Sequence, residues 1–315
     1  MTADPNSPGY HEPVLLKEVV EYLQPGPRRI LFDGTLGGGG HTRAFLEAGA
    51  TVVSTDQDPE AIAAASAELG GYEGRFFPVR ANFAEVDRVL AGPGIGELHG
   101  ALLDLGVSSH QLDTPERGFS FQRDGLLDMR MAPDSPLSAA DLVNTSSEEE
   151  LARIFRELGD EPAARRIAAR IVRERSSAPF THTLQLADLV SNVIPRKGRI
   201  HPATRVFMGL RLAVNRELEM LATALDAITA RLAPGGRLAV ISFHSGEDRI
   251  VKTFMKERSV EWLDRPEWPS PRRNPLHLFR LLTPRPLVAT AAEQKTNPRS
   301  RSAKLRVAER LPHAR

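Results

Sequence analysis

One stretch near the N-terminus constrains this chain more than any other: Ile30-Leu31-Phe32-Asp33-Gly34-Thr35-Leu36-Gly37-Gly38-Gly39-Gly40-His41. A short apolar run ends in a carboxylate, and four consecutive glycines lead into Thr42-Arg43-Ala44-Phe45-Leu46, which reads as the first turns of a helix. Strand, tight turn and helix in that order open an α/β domain. Glycines allow positive φ in the turn and let a ligand approach main-chain N–H groups at the positive end of the helix.

Spacing narrows the ligand. A dinucleotide fingerprint needs glycines at i, i+2 and i+5, which no choice among Gly34 to Gly40 provides, and no glycine is followed by the Lys-Ser or Lys-Thr of a P-loop. An acid placed just before the glycines, Asp33, suits a cationic group instead, such as the amine of S-adenosylmethionine. Asp56 closes the next apolar strand, Thr51-Val52-Val53-Ser54-Thr55, where a ribose-binding acid is expected. The pair of acids at two strand ends is a stronger signal than the glycines alone.

At 315 residues the chain has room for about two domains. It has no cysteine, so disulfides, thiolate zinc sites and iron–sulfur clusters are excluded together, and its nine histidines show no metal-ligand spacing. No apolar run approaches bilayer length, and the expectation is a soluble, cytoplasmic protein without a membrane partner. Net charge is only +1, yet residues 1–110 carry 7 basic and 15 acidic side chains while 265–315 carry 12 basic and 3 acidic. Such asymmetry suggests a polyanion for the later segments, although a solvated surface in an arginine-rich chain explains any single run.

His11 to Leu23 read as an entry segment followed by an amphipathic helix that ends before Pro25-Gly26-Pro27, Pro59 opens a helix to Leu69, and Arg75 to Arg80 is a third strand. Phe83 follows its end, either as core or against an adenine ring. The fourth strand runs into Asp104-Leu105-Gly106-Val107, where an amine-methylating enzyme of this fold presents substrate-facing groups, so Asp104 is the candidate to orient an attacking amine. Arg117-Gly118-Phe119-Ser120-Phe121 interleaves aromatic and basic residues as contact with an unpaired base requires.

From Pro136 the pattern is wholly helical, with helices expected over 138–144, 147–158, 162–175 and 183–193, and with Arg165, Arg166, Arg170 and Arg173 as candidate phosphate contacts. The basic loop around Arg199, His201 and Arg205 leads into a stripe at 207, 210, 214, 218, 221, 225, 228 and 232 that reads as one unbroken helix. Pro234-Gly235-Gly236 is read as its stop, and 237–243 as the fifth strand. His244 follows, with Ser245 and Asp248 read as a capping box. Residues 266–275 form a proline-rich loop; two last strands lie at 279–283 and 303–308, joined by a basic, flexible Asn297-Pro298-Arg299-Ser300-Arg301-Ser302.

Taken in order, His11-x-Pro-Val-Leu-Leu, Asp33-Gly-Thr with Gly39-Gly40-His41, Asp104-Leu-Gly-Val-Ser-Ser, Arg117-Gly-Phe-Ser-Phe, Leu127-Asp-Met-Arg-Met, His201-Pro-Ala-Thr-Arg, Ser242-Phe-His-Ser and Asn297-Pro-Arg-Ser-Arg-Ser resemble the bacterial ribosomal RNA small-subunit methyltransferase H family (RsmH/MraW). The likeness runs from His11 to about Glu309. It implies a class I S-adenosylmethionine-dependent methyltransferase, Rossmann-like with a mostly parallel seven-stranded sheet and an inserted all-α domain, acting on N4 of one cytidine in the decoding region of 16S rRNA in the 30S ribosomal subunit. The expected organisation is 1–110 for the first part of the methyltransferase domain, 111–203 for the inserted domain and 204–315 for the second part.

The family's cofactor residues fall on Gly39, Gly40, His41, Asp56, Phe83, Asp104 and Gln111, to which the strand-end argument adds Asp33. Candidates for RNA contact are Arg117, Phe119, Phe121, Arg199, His201, Arg205, His244, Arg299 and Arg301. Met208 stands where the family pattern has Gln, and Gly246 where it has Leu. Rival readings are an enzyme of the same fold acting on DNA cytosine or a small amine, and an RNA-binding protein with a vestigial cofactor pocket; the intact Asp33, Asp56 and glycines argue against decay.

Overall fold

Successive side chains of a strand leave its sheet on opposite faces, and this chain supplies apolar residues for both. Leu31, Leu102, Ala239, Ile241 and Val307 enter one core with Val19, Leu23, Phe45 and Leu46. Phe32, Leu103, Leu238 and Val240 enter the other with Leu221, Leu225, Ile228 and Val251. The computed structural model describes residues 13–195, 198 and 201–312, and the chain divides into two units, Met1–Gly106 with Leu218–Arg315, and Val107–Glu217.

The first unit holds β1 (Ile30–Asp33), β2 (Thr51–Asp56), β3 (Phe76–Arg80), β4 (Leu98–Asp104), β5 (Leu232–Ser242), the short β6 (Trp262–Leu263) and β7 (Arg272–Arg273), β8 (Phe279–Leu281) and β9 (Lys304–Arg310). Seven of these form one sheet in the order β3-β2-β1-β4-β5-β9-β8, and β6 and β7 form a separate hairpin. Pairings from β3 to β5 are parallel; β9 runs antiparallel to both β5 and β8. Strand order reverses beside β1, which lies between β2 and β4, so the carboxyl ends of β1, β2 and β4 open on the crevice where α/β sheets bind ligands.

Two local expectations change in this unit. Pro234-Gly235-Gly236 does not precede β5 but lies within it: Leu98 pairs with Leu232 and Gly100 with Arg237, so the ladder shifts register and the extra residues bulge out. Glycine is needed there, since a Cβ on Gly236 would stand 2.9 Å from the Leu98 carbonyl oxygen and Gly235 has φ 77°. Residues 297–302 are not a loose linker: Pro298–Ser302 is a 3-10 helix, with Ser300 fully buried and its Oγ donating to the Asn297 carbonyl at 2.7 Å.

The second unit is helical and has its own core, in which Val143, Leu151, Phe155, Ile167, Ile171, Leu186, Val190, Val206 and Leu210 meet. The helix starting at Glu148 widens over Ile154–Leu158, where the Gly159 N–H reaches back five residues to the Ile154 carbonyl. The expected unbroken helix after the basic loop is two, Thr204–Val214 and Glu217–Arg231. Arg216 takes φ 50°, and Asn215 ties the break to the preceding loop: its Nδ2 donates to the Met129 carbonyl and its Oδ1 accepts the Met131 N–H, both at 2.8 Å. Periodicity continues across the break because both helices bury apolar faces. Among the described residues no helix is long and apolar enough to cross a membrane.

Candidate active site

The glycine turn is set from both sides. Asp33, 1% exposed, accepts the Thr42 hydroxyl at 2.7 Å on Oδ2 and the Thr35 N–H at 3.1 Å on Oδ1, so it braces the joint between β1 and the helix Gly40–Glu47. Asp56 accepts the Gly37 N–H on one oxygen and the Asp58 N–H on the other, both at 2.9 Å, and thereby holds the glycine loop against the end of β2. The glycines divide by role. A Cβ on Gly40 would lie 2.3 Å from Pro13 Cγ and one on Gly34 would lie 2.5 Å from Leu103 Cδ2, so these positions serve packing; Gly39 takes φ 77° to start the helix, and a Cβ on Gly37 would meet the Thr35 carbonyl oxygen at an unstrained 4.0 Å. Phe83 begins a 3-10 turn after β3, under an Asn82 cap, and its Cβ backs onto Gly34.

Asp104 ends β4 beside these groups. Its N–H donates to Thr35 Oγ1 at 2.7 Å, while its buried Oδ1 has no hydrogen-bond partner among the described residues. His41 Nδ1 lies 3.8 Å from Asp104 Oδ2, and His41 Nε2 is 3.1 Å from the Val14 carbonyl. Burial lowers the imidazole pKa to about 4. His41 is therefore neutral near pH 7, with Nε2–H donating to Val14 and Nδ1 bare, and the contact with Asp104 is not an ion pair.

A further acid, missed by sequence reasoning, adjoins this end of the sheet. The helix Ser245–Glu257 is capped by His244 and Glu247 rather than by Ser245 and Asp248. His244 Nδ1 accepts the Gly246 N–H at 3.1 Å, and Glu247, 2% exposed, accepts the Phe243 N–H at 2.8 Å. Asp248 instead pairs with Arg306 and Lys304 of β9. The available signal was an acid three residues after His244, a spacing shared with the Ser245–Asp248 pair to which the cap was assigned.

Carboxylates crowd this end of the sheet. Burial raises the Asp33 pKa. It pushes Asp56 up to about 6 against the hold of two backbone N–H groups. Asp104 rises to about 8, first through burial and then through the neighbouring charges of Asp33 and Glu247. An unpartnered buried carboxylate oxygen beside these acids fits a ligand that carries a sulfonium and an ammonium.

The remaining predicted residues belong to both units. In the second unit Gln111 is buried in the short helix Ser109–Asp113 and forms a capping box with Ser108: its Oε1 accepts the Ser108 N–H at 3.0 Å. Arg117 donates to the carbonyls of Arg130 and Met131, Phe119 is 8% exposed within the core, and Phe121 packs on His201 and Phe207 with centroids 4.7 Å away in each case. Arg205 is exposed, as are Arg165, Arg166, Arg170 and Arg173. In the first unit Arg301 is exposed and Arg299 half-buried. Arg199 and His11 lie outside the described residues.

A sheet of this order, with acids ending three adjacent parallel strands and a glycine turn after the first, defines a class I S-adenosylmethionine-dependent methyltransferase. The family is equally plain: the model described as the MraW methylase family matches residues 9–311, and the chain belongs to that family. Proteins named ribosomal RNA small subunit methyltransferase H are 50% identical to it in Geobacter sulfurreducens (96% of this chain and 99% of the relative) and in Thermomicrobium roseum (96% and 94%). Another so named, from Myxococcus xanthus, is also 50% identical, over 96% of this chain and 97% of its own length. A solved putative methyltransferase from Streptococcus mutans in complex with SAH covers 96% of this chain and 99% of its own, at 13% identity and a TM-score of 0.44.

Proposed function

We propose that this chain transfers a methyl group from S-adenosylmethionine to N4 of a cytidine in the decoding region of 16S rRNA, within the 30S subunit or a precursor of it. The observation that carries this reading is Asp104, a carboxylate at the end of β4 with one buried oxygen unpartnered among the described residues. Family membership and the names of its relatives supply the acceptor class. Such a substrate puts the work of the enzyme in the cytoplasm.

When bound, the cofactor would supply an electrophilic methyl carbon on a sulfonium sulfur, with the neutral thioether as leaving group when the cytosine amine attacks that carbon in line. The protein's part is mostly positioning. Asp56 would receive the ribose hydroxyls, its orientation fixed by the Gly37 and Asp58 N–H groups. Asp104, turned into the anion by the positive charge of the bound cofactor, accepts a hydrogen bond from the amine and holds it in attacking orientation. A paired or stacked cytidine cannot reach this carboxylate, so the base is splayed out of its strand.

Transfer of radiolabelled methyl to 30S subunits lacking the modification, followed by nucleoside identification, tests the reading. Labelled N4-methylcytidine is expected, and Asp104→Ala should lose at least a hundredfold in rate, about 2.7 kcal/mol or more of transition-state stabilisation. No label in subunits, precursors or free rRNA, despite measurable cofactor binding, rejects the RNA acceptor.

A further inference from the structure

The β6–β7 hairpin has no part in the site above, yet it holds both tryptophans of the chain, Trp262 and Trp268. Its base is fixed. Asn274, 5% exposed, donates through Nδ2 to the carbonyls of Glu257 at 2.8 Å and Val260 at 2.7 Å and through its backbone N–H to Glu261, while its Oδ1 accepts the Leu276 N–H. Beyond that anchor the ribbon projects aromatic and guanidinium groups. Two guanidiniums lie over the Trp268 ring, Arg265 at 4.9 Å and Arg272 at 4.8 Å from its centre. Trp262 is 56% exposed and pairs directly opposite Arg273, which is also exposed. Residues opposite each other across an antiparallel pair share a face.

An indole more than half exposed on an anchored ribbon, beside an arginine, is the arrangement that stacks an unpaired base and meets its phosphate. We propose that Trp262 and Arg273 form a second contact surface for single-stranded RNA, the base stacking on the indole and its phosphate meeting the guanidinium. The inference rests on the RNA acceptor proposed above and deepens it. Glu261, Asp264 and Glu267 are exposed on the same segment and balance Arg265, Arg272 and Arg273 in number. General attraction to phosphates is therefore not the driving force here, and stacking is. The salt dependence contributed by this surface is correspondingly small, about one phosphate contact.

Because both tryptophans lie on this hairpin, intrinsic emission of the full-length protein reports on it directly. Titration with a fluorescein-labelled single-stranded oligoribonucleotide of decoding-region sequence should quench emission and raise anisotropy with the same midpoint. Trp262→Ala should weaken binding about tenfold, and Arg273→Ala should weaken it less while lowering the salt slope by about one. Trp268→Phe should leave both affinity and the Trp262 signal. RNA binding with unchanged emission and with unaltered affinity in Trp262→Ala overturns the proposal while leaving methyl transfer to RNA intact. An emission change with RNA-free 30S proteins and none with RNA overturns it in favour of a protein contact. Absence of both RNA binding and methyl transfer to RNA removes the acceptor reading and this inference with it.

Discussion

At the scale of single residues, the function turns on how protein and ligand charge meet. Asp104 ordinarily titrates at 3.8 but is pushed up to about 8, so the free protein holds it largely protonated at neutral pH. A bound sulfonium or ammonium favours the anion, and cofactor binding near pH 7 should release roughly one proton. Calorimetric heats measured in buffers of different ionisation enthalpy check this; release should fall in Asp104→Asn, and a buffer-independent heat for the natural chain would count against it. The sign for stability follows from the same shift. A carboxyl whose pKa rises on folding stabilises below about pH 4 and loses that contribution as pH climbs, through about 6 for Asp56 and about 8 for Asp104. The slope is at most about 1.4 kcal/mol per pH unit for each proton, and Asp104→Asn should flatten its upper part in urea unfolding at stepped pH. Asp33, Asp56 and Asp104 were legible because carboxylates closing apolar runs are rare and position themselves by strand topology. Glu247 was not, since its place beside Asp104 depends on β4 and β5 being neighbours, a pairing between strands more than a hundred residues apart.

At the scale of elements, the glycine turn shows what a motif conceals. Four consecutive glycines look uniformly made for a ligand, yet Gly40 is small because of Pro13, a protein contact outside the motif. Gly40→Ala should therefore cost about 1–3 kcal/mol by overpacking. Gly37→Ala, at φ 48° with its Cβ meeting the Thr35 carbonyl oxygen at an unstrained 4.0 Å, should cost about 1–2 kcal/mol of backbone strain alone. Urea unfolding separates the two: cofactor added at saturation should leave the Gly40→Ala packing deficit in place, and equal stability of Gly40→Ala and the natural chain would remove the role given to Pro13. The helix break at Asn215-Arg216 was hidden for a different reason. Apolar spacing reports which face is buried, and it is blind to a two-residue turn when the next helix buries the same kind of face. β7 was read as part of the proline-rich loop 266–275, and β6 was not read at all, because strands of two residues carry no periodicity.

At the scale of the whole molecule, the seven-stranded sheet is completed only with material from both sides of the helical unit: β1 to β4 precede Val107, and β5, β8 and β9 follow Glu217. The sequence shows a wholly helical pattern from Pro136 and a return of the strand–helix rhythm near residue 237. The helix Thr204–Val214 carries no rhythm that assigns it to either unit, and its side chains Val206, Phe207 and Leu210 join the core of Val107–Glu217. Separate cores have a measurable consequence. Asp33, Asp56 and Asp104 all belong to the sheet-bearing unit, so cofactor at a hundredfold excess over its Kd adds about 2.7 kcal/mol to the stability of that unit. Amides that exchange only by its global unfolding, such as those of β1, β4 and β5, should then slow by about a hundredfold. The most protected amides of the helices Ala164–Arg175 and Thr183–Val193 should keep their rates. Hydrogen exchange followed by mass spectrometry, with and without S-adenosylmethionine, distinguishes the outcomes: equal slowing throughout would mean that the two cores unfold as one, and protection confined to the helical unit would remove the cofactor from the three acids.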